Sequence, residues 1–197
     1  MQSTGHVSGH VSGHVTARQA ELFDQLVALF LEEGFRDLTI DAVAARLRCS
    51  KTTLYALAGT RDELVRAVVV HFFRGATERV EARVAAAGEQ RIVAYLDAVA
   101  EELESASAAF FDDVAASPAA RGIYERNTRA AAGRVAELVA EGVESGAFRP
   151  VHVGFVADVL TSTMVRIQQR RVAAATGLED AAAYTELAAL VLRGLST

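Results

Sequence analysis

Thr39-Ile-Asp-Ala-Val-Ala-Ala-Arg-Leu-Arg-Cys-Ser-Lys-Thr-Thr-Leu-Tyr55 decides the fold of this 197-residue chain. Ile40, Val43, Ala44 and Leu47 recur at helical spacing behind Thr39, a residue suited to the N-cap. Arg48 and Cys49 then fill a tight turn. Ser50 caps a second, very short helix that runs to about Leu57, with Leu54 facing inward against Val43 and Leu47. Gly59 breaks it. Two short helices joined by a tight turn form a helix-turn-helix, provided that a longer helix supports them.

Such supports stand on both sides. Upstream, Leu22, Leu26 and Phe30 recur every fourth residue with Phe23, Val27 and Leu31 beside them, a broad apolar stripe on one helix that Gly34 ends. Downstream, Thr60 and Glu63 make a capping box that opens a long helix from Arg61 to about Ala86. Further helical patterns cover about 89 to 105, 107 to 115, 118 to 145, 152 to 174 and 179 to 194; Ser117-Pro118 is a clear start of the third of these. No convincing strand interrupts them. The expectation is an all-α chain of about nine helices. A Gly-His-Val-Ser repeat tail (1–16) precedes a helix-turn-helix domain (17–64) and a larger helical domain (65–197). The repeat is read as flexible, because Gly at every fourth position prevents a helix from presenting His6, His10 and His14 on one face.

Composition agrees. Apolar residues make up 51% of the chain and prolines number two, which favours helices around a sizeable core. The single cysteine, Cys49, excludes an intramolecular disulfide and fits a reducing cytoplasm; a buried place is expected for it. No signal peptide and no membrane span are read. The formal net charge is −5, yet Arg36 to Arg61 holds five basic residues against two acidic ones. A basic window in an acidic chain is a footprint suited to phosphate. Lys51 is the only lysine in the chain.

The chemistry of the second short helix fits that footprint. A helix entering a major groove about 12 Å wide must be slim, and donors around it must grip phosphates and fix its register. Ser50, Lys51, Thr52, Thr53 and Tyr55 bring hydroxyls and an ammonium within six residues, at a helix N-terminus that itself attracts phosphate.

From Ala17 to Val68, with Thr39 to Tyr55 followed by Thr60-Arg-Asp-Glu-Leu64, the sequence resembles the DNA-binding segment of tetracycline-repressor-like (TetR-type) regulators. The resemblance implies a homodimer on a palindromic double-stranded DNA operator, and a small-molecule effector that fills the C-terminal half and releases the DNA. It implies phosphate contacts for Thr39, Tyr55 and Arg61. It places Lys51, Thr52 and Thr53 at the groove-facing start of the recognition helix, and Arg18 as an arm toward the DNA backbone or minor groove. Arg48 and Ser50 complete the candidate DNA-binding set. The chain departs from the family at Leu57, Ala58 and Gly59, where an aromatic pair or His and Phe, then Pro, is usual. That removes a large buried anchor and a groove contact. The alternative reading is a helical ligand-binding or protein-interaction dimer that has lost DNA binding.

The C-terminal half carries no catalytic constellation, metal-ligand spacing or Gly-rich phosphate loop, so neither catalysis nor a cofactor is expected. Its aromatic residues suit an apolar small-molecule pocket. The candidates are Phe72, Tyr95, Phe110, Phe111, Tyr124, Asn127, Met164 and Gln168. Asp112-Asp113 reads as a solvated turn, and Arg170-Arg171 as cations complementing a helix C-terminus. The last two helices are apolar over a wide arc and must be buried on two sides, which a second copy would provide. Val156, Leu160, Met164, Ile167, Leu187, Leu190 and Val191 are the candidate interface.

Overall fold

Residues 17–88 and 91–195 are described by a computed structural model, and every regular element among them is helical. Ten α-helices follow one another: α1 (Ala17–Glu33), α2 (Ile40–Arg46), α3 (Lys51–Leu57), α4 (Arg61–Ala86), α5 (Arg91–Glu104), α6 (Ala108–Ala116), α7 (Pro118–Glu144), α8 (Val153–Gln168), α9 (Arg171–Thr176) and α10 (Asp180–Leu195). None is long and apolar enough to cross a membrane. The histidine repeat of the N-terminal tail lies outside the described residues.

The local rules of helix starts act where the sequence places them. Thr39 Oγ1 accepts the Ala42 N–H at 3.1 Å, and Ser50 Oγ accepts the Thr53 N–H at 3.0 Å. Thr60 and Glu63 form the reciprocal capping box. Helix α4 is the spine. Val65, Val68, Val69, Phe72 and Phe73 are buried along it. Its first turn packs on α3, and its length packs on α1, α5 and α7. Helices α5, α7, α8 and α10 close the C-terminal bundle, with Leu96, Val135, Leu160, Met164 and Ile167 at its centre.

One helix read over 152 to 174 is in fact two. Helix α8 ends at Gln168, and Arg170 adopts a left-handed backbone with φ 58° before α9 begins. That conformation costs a non-glycine residue about 1–3 kcal/mol, so surrounding contacts must enforce it. They do: the turned guanidinium reaches Asp112 at 3.0 Å, Glu179 at 2.8 Å and Asp180 at 2.6 Å. Arg170 is therefore a hub for three carboxylates rather than a cation answering a helix dipole. Burial raises the Asp180 carboxyl above its ordinary value, against the pull of Arg170.

The acidic pair of α6 also differs from its sequence reading. Asp113 is buried, not solvated. The N–H groups of Phe35 and Arg36 donate to its Oδ2 at 2.6 and 2.7 Å, and the Arg36 side chain pairs with its Oδ1 at 3.0 Å. A carboxylate 78 residues away in sequence thus satisfies the backbone just beyond α1. The Ser107 N–H, donating to Leu31 O at 2.8 Å, makes a second tie between α6 and α1.

Candidate nucleic-acid interface and internal cavity

Helix α3 is held on the core by its apolar residues. Leu54 is fully buried, and Leu57 and Ala58 pack half-buried on the core beside it. These small residues occupy the place of the larger anchor expected after Tyr55. Lys51, Thr52 and Tyr55 are exposed, the last at 47%. Thr39, Arg48 and Ser50 are exposed too, and Thr53 is half-buried beside Ser50, their hydroxyl oxygens 2.8 Å apart. Arg48 reverses the chain between α2 and α3 with φ 50°. Cys49 is half-buried against the core. Hydroxyls, an ammonium and a guanidinium are thus exposed to solvent at and around the start of α3, groups able to bind a polyanion.

Two cations are not free in the way the sequence reads. Lys51 Nζ forms an ion pair with Asp41, and its hydrogen bond to that carboxylate raises its pKa above the ordinary lysine value. Arg61 turns inward. Its guanidinium donates to the carbonyls of Phe35, Arg36 and Leu38, the last two at 3.0 and 3.2 Å. It holds the loop between α1 and α2, and only its Nη1 faces outward, toward Asp62 at 4.0 Å. A phosphate contact therefore has at most that one nitrogen to use. Arg18 lies exposed in the first turn of α1 rather than ahead of it.

Between α4, α5, α7 and α10 lies a cavity of about 220 Å³. Phe72, Tyr95, Tyr124 and Asn127 line it, as does Tyr184, which the sequence reading left out of the pocket. Nothing in the spacing of Tyr184 separates it from the core residues around it. Burial raises the phenol pKa values of Tyr95, Tyr124 and Tyr184, so all three stay neutral at physiological pH. The charged groups on the wall are Glu81 and Arg134, joined side-on at 3.1 and 3.3 Å. Thr128 also lines the cavity, and its buried Oγ1 has no hydrogen-bond partner among the described residues. An unpaired buried hydroxyl costs about 1–3 kcal/mol.

The other pocket candidates lie elsewhere. Phe110 and Phe111 are buried in an aromatic chain beside the cavity, not on its wall. Phe72 meets Phe110 at 5.6 Å between ring centroids, and Phe110 meets Phe35 at 6.1 Å, both edge-on. This chain joins the cavity wall to the loop that Asp113 and Arg61 hold. Met164 sits in the bundle core, and Gln168 lines a separate open groove near Arg121 and Arg171.

The candidate interface residues divide as well. Leu160, Met164, Ile167, Leu187 and Val191 are buried inside a single chain, so they are core and not available to a partner. Val156 is half-buried. Leu190 is 71% exposed, and Phe155 and Val159 on α8 are exposed at 67% and 42%. A helix apolar on two sides has here spent one side on its own bundle.

Residues 22–68 match the profile of bacterial regulatory proteins of the tetR family. A search of curated proteins finds no match. Among solved structures, the chain is similar to the TetR-family transcriptional regulator PfmR from Thermus thermophilus. The identity is 21% and the TM-score 0.60, over 92% of this chain and 98% of that one. It is similar to a TetR transcription regulator from Haloarcula marismortui at 17% identity and a TM-score of 0.70, over 90% and 97% of the two chains. A third likeness, at 13% identity and a TM-score of 0.70, also covers 90% of this chain and 97% of the other; it is a putative transcriptional regulator from Saccharomonospora viridis in complex with choline.

Proposed function

We propose that this chain, a TetR-type DNA-binding transcriptional regulator by its matched segment and its fold, is a repressor that grips a palindromic operator as a homodimer and lets go when a small molecule fills the cavity. The observation that carries the reading is the exposed rim of α3, built on a helix-turn-helix whose second helix is anchored by Leu54. The cavity supports an effector, since pockets for small molecules are apolar with a few polar groups. That a similar fold from Saccharomonospora viridis holds choline supports the same division of labour.

The homodimer is supported by Phe155, Val159 and Leu190, large apolar side chains left exposed on α8 and α10. A face of this kind on a terminal helix pair suits an isologous contact, in which each copy offers the same patch. Two copies would place two α3 helices on one face of a duplex, spaced as operator half-sites require. The effector would act through α4 and the aromatic chain of Phe72, Phe110 and Phe35.

The test is a mobility shift on duplex taken from beside the chain's own coding region, together with an unbiased selection from random duplex. A palindromic winner bound by two copies is expected. Failure to select any duplex, with an intact dimer, would overturn the reading in favour of a helical ligand-binding dimer.

A further inference from the structure

Gln168 closes α8 with a side chain that is buried yet unspent. The residue is 5% exposed. Its amide has no hydrogen-bond partner among the described residues. Nor are the two amide atoms sealed from solvent: among the described residues, Thr128 Oγ1 is the unpaired side-chain atom that is. The surface they keep opens on the groove that Gln168 lines, between the end of α6, the first turns of α7 and the α8–α9 turn. Buried amides are ordinarily paired, so this exception calls for an explanation. Water can serve both ends of the amide. A ligand gains here by bringing what water lacks, a charge.

The rest of the wall sets the sign of that charge. Arg121 and Arg171 line the same groove and face solvent. Glu125 stands 3.9 Å from Arg121, beyond hydrogen-bond reach. Arg171 has no ion-pair partner among the described residues. The carboxylates of Asp112, Glu179 and Asp180, which reach the α8–α9 turn, are drawn to Arg170. Two guanidiniums against one loosely held carboxylate leave the wall one positive charge in excess. Pro118, also in the wall, opens α7 and so marks the positive end of its dipole. Ala115, Pro118 and Gly122 are small and leave room beside the charges. A planar guanidinium matches a carboxylate with two parallel bonds. A single excess charge suits a monoanion better than a phosphate ester, which carries close to two charges at neutral pH.

We propose that this groove binds a small monocarboxylate with a hydroxyl next to its carboxylate. Arg121 and Arg171 hold the carboxylate. Gln168 Nε2 donates to the same group, and Gln168 Oε1 accepts from the neighbouring hydroxyl, so both ends of one amide are used. The site is separate from the cavity between α4, α5, α7 and α10, although Tyr124 stands in both walls. It goes beyond the effector reading and does not depend on it.

Amide NMR of the full chain, without DNA and at low salt to limit screening, tests it with four probes. They are lactate, propionate, which lacks the hydroxyl, lactamide, which lacks the charge, and inorganic phosphate. Lactate should saturate one site per chain, with its largest shifts at Gly122 and Gln169 in the groove. Propionate should bind about fivefold more weakly, the difference made by one hydrogen bond, and lactamide should not bind. Gln168→Leu should bind lactate and propionate alike. Arg171→Gln changes an exposed residue and should weaken lactate about tenfold, which reads the site even if Gln168→Leu does not fold. The proposal is overturned if lactate does not saturate, or if its shifts map instead to the cavity around Tyr95. It is equally overturned if lactamide or phosphate binds more tightly than lactate, if Gln168→Leu keeps the preference for lactate, or if Arg171→Gln binds lactate unchanged.

Discussion

Asp113 on α6 accepts the N–H of Phe35 at 2.6 Å, so a residue of the C-terminal half caps the backbone that leads into the helix-turn-helix. The bond sits beside Gly34, whose φ of 76° suits glycine and where a Cβ would lie 2.6 Å from Asp113 Oδ2. Asp113→Ala leaves a buried N–H unpaired and should lower stability by about 1–3 kcal/mol in urea unfolding. Gly34→Ala should do the same by displacing the carboxylate. Both should also weaken operator binding, though neither residue lies on the rim of α3. Unchanged stability in Asp113→Ala would show that the bond contributes nothing.

Arg61 and Lys51 are separable by salt. Arg61 donates to backbone carbonyls, so Arg61→Lys should weaken DNA binding by loosening the α1–α2 loop, with the slope of log affinity against log salt unchanged. Lys51→Ala should weaken binding across sequences and reduce that slope by about one phosphate contact. Binding curves at several salt concentrations decide between the two roles. A reduced slope in Arg61→Lys would return Arg61 to the phosphate set.

Asp41→Asn removes the partner that Lys51 pairs with. Affinity for random duplex at low salt should rise several-fold, since Lys51 no longer exchanges one anion for another. A competition assay with non-operator DNA reads this directly, and no gain would mean that the pair dissolves in solution.

The exposed and buried halves of the C-terminal pair predict opposite failures. Leu190→Glu and Phe155→Glu should give folded monomers by light scattering at micromolar concentration. Leu160→Ala should instead cost about 2–5 kcal/mol of stability, because it opens a hole in the core of one chain. A dimer that survives both surface changes would remove this face as the interface.

What the sequence made legible is mostly what acts locally. Thr39, Ser50 and Thr60 cap their helices through bonds that span three residues, and such bonds are written in adjacent residue types. The apolar stripe of α1 was equally readable. Asp113 and Arg61 were not, since their partners lie 78 and up to 26 residues away and nothing in a neighbouring pattern names them. The two-sided arc of α8 and α10 showed that both faces need cover. It could not show that Leu160 and Met164 turn inward while Phe155 turns out, because periodicity fixes relative direction and not which neighbour waits there. Arg170 follows the same rule: its left-handed turn is set by three carboxylates gathered from α6 and from the start of α10.

The pairing of Lys51 with Asp41 bears on how such a protein would find its target. The lone lysine at the start of α3 carries its own counter-charge, so a phosphate in the proposed complex would compete with a carboxylate already in place. In the proposed complex that exchange would bring little on random duplex. On a site where the rest of α3 also fits, the exchange is carried along by the other contacts. Under the proposed function the pair would therefore favour searching over sticking.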